Sequence, residues 1–273
     1  MELRGVDFTS RPGQRKPITL ARGVLLAPGR VRLDKVEALT DFAAYEAMLA
    51  EPGPWIAGFD FPFSFARELI EGQGWPTEWP ALMRHMAGLP RQEMAERFRR
   101  WCQGRPSGNK LSCRATERAA GSNSSMQWFI PPVAYMLREG APRLLAAGVD
   151  VPGLHRGDPS RVALEAYPAI LARAVLGRGK AGSYKHDLPA KQTAEHRAGR
   201  ERIVAALSEG RHNLGIGLEL SASQAAELID DASGDRLDAV LCMVQAAWAE
   251  ARREQGFGLP QGFDPLEGWI ITA

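Results

Sequence analysis

Trp55-Ile56-Ala57-Gly58-Phe59-Asp60-Phe61-Pro62 runs an apolar stretch into one carboxylate and then into a proline. A short apolar run closed by a charge and a Pro reads as a buried central strand. Upstream, Thr40-Asp41 opens a helix through Ala50, and Pro52-Gly53-Pro54 stops it. Before that helix come Leu3 to Phe8, Ile18 to Ala27 and Val31 to Val36, the last two separated by the turn signal Pro28-Gly29. The order predicted for the first 63 residues is therefore β-β-β-α-β, beginning with an antiparallel meander.

Downstream the character changes. Residues 64–159 hold helical stretches (Phe65 to Glu71, Glu93 to Gln103, Val133 to Ala147) joined by Gly, Pro and Ser, and read as a mainly helical insertion. Arg161 to Tyr167 returns to a β-like run that Pro168 ends, followed by helices over Ala169 to Leu176, Lys191 to Leu207, Ser223 to Asp230 and Asp235 to Glu254. From Ala239 to Ala249 every residue but Gln245 is apolar. A helix apolar on all sides is packed on all sides. The expectation is a mixed α/β domain over residues 1–273, with core segments 1–63 and 160–255 around the insertion.

Composition sets outer bounds. With 273 residues, 45% hydrophobic and 24% charged, the chain has the balance of a soluble globular protein. A net charge of +2 does not announce a nucleic-acid binder. Cys102, Cys113 and Cys242 offer no C-x-x-C spacing, which fits a reducing compartment. No cleavable apolar leader is read at the N-terminus, and the Ala239–Ala249 run is too short to span a bilayer, so a cytoplasmic protein with no membrane partner is expected. Asn123-Ser124-Ser125 matches a glycosylation sequon, which without a secretory signal carries no weight.

The chemistry lies in acids set among apolar neighbours: Asp7, Asp60, Glu165 and Asp238, with Asp235 one turn before the last. A buried carboxylate needs a partner, and a hard divalent cation is one. Each acid also has an ordinary reading. Asp7 is a common strand-end turn residue, and Asp60 could sit at a solvated bend, although its Phe neighbours oppose that. Glu165 could face solvent on an alternating strand. Asp235 reads as the cap of the last helix, which leaves Asp238 as the better ligand. Taken together, the acids fit a cage for two ions roughly 3.5–4 Å apart, which would position the attacking and leaving oxygens of a phosphodiester.

At these residues the chain resembles domain-of-unknown-function family 429, whose members are described as predicted RNase H-like nucleases of the RuvC-like branch. The matching stretches are Gly5-Val6-Asp7, Gly58-Phe59-Asp60-Phe61-Pro62, Glu165-Ala166-Tyr167-Pro168, Lys191-Gln192-Thr193 with Arg197 and Arg200, and Asp235-Arg236-Leu237-Asp238-Ala239. The resemblance implies an RNase H-like mixed five-stranded sheet, three antiparallel strands and then parallel ones, flanked by helices. It implies Asp7 as central metal ligand, Asp60 beside it, Asp238 as the helix ligand and Asp235 as an auxiliary. Glu165 matches an acid of unassigned role, here counted with the catalytic set. Mg²⁺ or Mn²⁺ would be the cofactor, as the two ions of that cage, and DNA or RNA the partner. Other readings are a nucleotide-binding phosphotransferase of the actin-like sugar-kinase type, or a non-catalytic nucleic-acid or protein binding module on the same fold.

Two stretches, Arg91 to Arg118 and Arg173 to Arg202, each hold eight basic against three acidic side chains. Either is a candidate phosphate footprint or a solvated helix face with ion pairs. Lys185, Lys191, Arg197 and Arg200 are the candidate phosphate contacts. Gly177 to Ser183 carries Ser where a phosphate-loop Lys belongs, there is no G-x-S-x-G, and the five histidines lack H-E-x-x-H spacing. His186, beside Lys185 and Asp187, could assist proton transfer or be an ordinary surface histidine. Trp75, Trp79, Phe98 and Trp101 could stack bases, but more often such residues glue helices together.

Overall fold

A computed structural model describes residues 1–177, 183–186 and 189–273. β1 (Glu2–Asp7), β2 (Ile18–Ala27) and β3 (Arg30–Leu39) form an antiparallel meander. α1 (Phe42–Ala50) follows, capped by the Asp41 carboxylate, which accepts from Ala44 N at 2.8 Å. β4 (Trp55–Asp60) then runs parallel to β1 with Asp7 opposite Asp60, and everything in it before Asp60 is buried.

The helical segment comprises α2 (Arg67–Gly72), α3 (Trp79–Gly88), α4 (Arg91–Gln103), α5 (Ala115–Ala120) and α6 (Val133–Ala146). The chain continues through β5 (Val149–Asp150), β6 (Asp158–Glu165), α7 (Pro168–Leu176), α8 (Ala194–Glu209), β7 (Gly217–Glu219), α9 (Ala222–Asp230) and α10 (Asp235–Glu250). The sheet has seven strands in the order β5-β6-β4-β1-β2-β3-β7, where five are expected from the sequence. The additions are the edge strands β5 and β7, two and three residues long, each laid parallel on its neighbour. Among the described residues no helix is long and apolar enough to cross a membrane.

Helices cover both faces of the sheet. One face, through Val6, Leu20, Ala57, Phe59 and Ala163, packs against α1 and the helical segment. Trp75, Trp79 and Phe98 lie inside this layer, at most 5% exposed, so they join helices. Trp101 is half-buried and donates Nε1–H to Ser112 Oγ at 3.0 Å. The opposite face, through Leu3, Ala21, Ile56, Val162 and Leu164, packs against α7, α8 and α10. α10 is buried from Leu237 to Ala247, as its all-round apolar sequence requires.

Two glycines set how close α10 lies to the sheet. A Cβ at Gly5 would overlap the Ala239 carbonyl oxygen and the Met243 backbone, and one at Gly58 would sit 2.5 Å from the Cys242 carbonyl oxygen. The helix backbone therefore rests directly on β1 and β4. Side chains alternate across a strand, so Asp7 and Asp60, each two residues beyond its glycine, face the same side as α10.

Candidate metal centre

The C-terminal ends of β1 and β4 and the first turn of α10 converge. Carboxylate oxygens of Asp7, Asp60 and Asp238 all lie within 4.8 Å of one another, so this triad could hold a metal ion. Asp7 and Asp238 are buried, while Asp60 is half-buried at the edge of a cleft. That cleft, about 750 Å³, opens beyond the carboxyl ends of the parallel strands, where open α/β sheets bind ligands. Its walls include Phe8, Arg15, Tyr167 and Arg236 beside the acids.

Cations inside the site come from the chain itself. Lys185 Nζ and the Tyr184 hydroxyl both donate to Asp238, one to each carboxylate oxygen. Lys16 Nζ holds Asp235 through both oxygens, at 2.8 and 2.7 Å. At the triad itself three carboxylates thus meet the ammonium of Lys185, a balance that favours a further cation. The donors at the triad are all carboxylate oxygens, the kind that hard cations take.

Burial raises every acid of the triad. It pushes Asp7 well above the usual carboxylate range, with Asp238 adding and Lys185 opposing. Asp60 is pushed up to about 7, first by burial and then by Asp238. Asp238 is raised by burial and held back by Lys185 and Tyr184. Burial pulls Lys185 down, but Asp238, Tyr184 and Asp7 outweigh it and leave the ammonium well above its ordinary value. An acid raised on folding contributes stability that is present below its unfolded value, near 3.8, and lost as pH rises through its folded value. In chelator, the wild type should therefore lose melting temperature between about pH 5 and pH 7.5, and Asp60→Asn should lose less. A wild-type loss no larger than the variant's would refute this origin.

Of the remaining predicted site residues, Asp235 and Lys185 line the same cleft, and Glu165, Lys191, Arg197 and Arg200 do not. Glu165 pairs in register with Phe59 and shares its face, opposite to the triad. There it accepts from Arg114 at 2.5 and 2.8 Å and from Phe63 N at 3.0 Å. Arg114 also binds Glu117 at 2.7 Å, so Glu165 belongs to a buried ion cluster that ties α5 to the sheet. The cap expected at Asp235 is Gly234 instead; Asp235 is the first residue of α10, and the Asp231 carboxylate accepts from Arg236 N at 2.9 Å.

Of the candidate phosphate contacts, Lys185 lines the cleft. Lys191 is exposed outside it, Arg197 pairs with Asp230 at 2.5 Å and Glu201 at 3.2 Å, and Arg200 is buried on backbone carbonyls. Arg178, Lys180 and Asp187 lie outside the described residues. In the other basic stretch Arg91, Arg97, Arg105 and Arg114 are committed to carboxylates. The rings of His186 and His196 lie 6.3 Å apart.

The family whose sequence pattern matches is described as "Protein of unknown function (DUF429)", and the match covers residues 5–261. The chain belongs to this DUF429 family. The matched span includes every acid of the triad and both close-approach glycines. No curated protein and no solved structure matches the chain significantly. Within this family member, sequence reasoning misses Lys16 and Tyr184 as partners of the acids. Lys16 stands 219 residues from Asp235, and Tyr184 stands 54 from Asp238, so no local pattern could announce either.

Proposed function

We propose that the protein is a Mg²⁺- or Mn²⁺-dependent phosphodiesterase acting on nucleic acid, built on an RNase H-like core. The supporting observation is the triad itself: two carboxylates on adjacent strand ends and one on a helix start, converging at an open cleft. The fold reading is supported by the antiparallel meander followed by strands parallel to β1.

A divalent ion at the triad would supply charge stabilisation at phosphorus and lower the pKa of water. The residues around it divide the remaining work. Asp7, Asp60 and Asp238 hold the ion. Tyr184 fixes the carboxylate of Asp238. Arg15, Lys16, Lys185 and Arg236 bring positive charge to the cleft for a phosphodiester, and Phe8 and Tyr167 give it an apolar wall. The reading takes one ion at the triad. A second would require Asp235, whose two oxygens are held by Lys16.

The test is cleavage of single-stranded, duplex and branched DNA and of RNA with Mg²⁺ or Mn²⁺. Cleavage that chelator abolishes is expected. Failure to cut any of these substrates with either ion would remove the proposal.

A further inference from the structure

Lys185 reaches the triad from a segment that the fold fastens repeatedly. Buried Arg200 donates to Tyr184 O at 2.7 Å and to Ile229 O at 2.6 Å. The Gln192 amide donates to His186 O and, at 2.5 Å, to Ala232 O. The Ser183 hydroxyl donates to Lys185 O at 3.1 Å. The lysine stem passes over Gly234, which has φ of 75°, where a Cβ would come within 2.8 Å of Lys185 Cδ. A glycine at this helix start therefore leaves room for the stem as well as supplying the left-handed turn. The ammonium ends on Asp238, which is 0% exposed and whose other oxygen is taken by Tyr184. An ordinary surface lysine needs no such seating.

We propose that Lys185 is the resident counter-cation of the acid triad, and that a divalent ion must displace its ammonium from Asp238 in order to bind. This rests on the reading of the triad as a cation site and adds what sets its affinity. Lys185 competes with an ion for the Asp238 oxygen it donates to, and a positive charge in contact with a ligand carboxylate opposes a second positive charge. Replacing one ammonium by a monovalent ion adds no charge, whereas a divalent ion adds one. Lys185 thus biases the site toward divalent ions. Once displaced, its four-carbon stem leaves the ammonium in the cleft, facing any bound anion.

The experiment is calorimetric titration of Mn²⁺, paired with thermal melts, on wild type, Lys185→Met, Lys185→Gln, Lys185→Arg and Lys16→Met. The neutral Lys185 variants should bind Mn²⁺ about tenfold or more tightly than wild type, and Mn²⁺ should raise their melting temperature further. Lys185→Arg, which keeps the charge, should stay near wild type. Lys16→Met should change affinity less, because Lys16 holds Asp235 outside the triad. If wild type binds Mn²⁺ and both neutral Lys185 variants bind it no more tightly, the counter-cation assignment falls while the metal site stands. If none of the proteins binds Mn²⁺, both fall together.

Discussion

Asp7→Asn should abolish metal-dependent cleavage, lowering it about a thousandfold or more, while the cation-free protein melts at the same temperature or higher. Asp7 is 8% exposed and lies beside Asp60 across the β1–β4 pair, so it contributes a buried negative charge to a site already holding Asp60 and Asp238. Asn keeps the shape and removes the charge. Loss of several kcal/mol of metal-dependent stabilisation corresponds to that fall in rate, at about 1.4 kcal/mol for each factor of ten. The stability arm follows from burial, which with Asp238 raises the Asp7 pKa, because a group that resists ionising is relieved when its charge is deleted. Cleavage assays and melts in chelator on the same preparation check both arms. Retained cleavage would remove Asp7 from the mechanism, and a large drop in melting temperature would mean that the charge is structural.

Gly5→Ala should be among the most damaging single-methyl substitutions in the chain. The new Cβ would overlap the Ala239 carbonyl oxygen and the Met243 backbone, and neither can swing aside as a side-chain tip could. α10 would have to lift from β1. Overpacking of this kind typically costs about 1–3 kcal/mol, and the backbone obstacle argues for the upper end or beyond. Because Asp238 rides on α10 and Asp7 stands two residues from Gly5, the shift should also spread the triad and weaken Mn²⁺ binding. Gly13→Ala is the matched control, since nothing lies within 4 Å of its added Cβ. Denaturant unfolding of both variants measures the difference. Equal stability would show that α10 does not rest on the sheet through Gly5.

Much of this arrangement is readable in the sequence, for identifiable physical reasons. The apolar run ending at Asp60 could satisfy itself only as a central strand, and the all-round apolar α10 only as a buried helix, so both elements are legible, with Asp60 at the strand end and Asp238 in the first turn of the helix. The helix α3 is missed because its pattern is broken at the start by Pro80, although Pro in the first turn is itself a helix-start signal. β5 and β7 are too short to carry a period and exist because a neighbouring strand offers them an edge.

The face of Glu165 is what the sequence leaves illegible. Val162, Ala163 and Leu164 are all buried, so the strand lacks the polar alternation that would reveal which side each residue faces. Pairing register puts Glu165 with Phe59 and so on the other face of the sheet from the triad, and its partner Arg114 comes from the helical segment 51 residues earlier. The lysines are invisible for the same reason: contacts between Lys16 and Asp235 or Lys185 and Asp238 are made only by folding.

Anomalous scattering from Mn²⁺ soaked into crystals of the wild-type protein tests the central claim most directly. A peak bounded by carboxylate oxygens of Asp7, Asp60 and Asp238, at coordination distances of about 2.2 Å, is the result the triad predicts. A protein that takes up Mn²⁺ elsewhere, or leaves that position bare at saturating Mn²⁺ with the three side chains accessible, would contradict it.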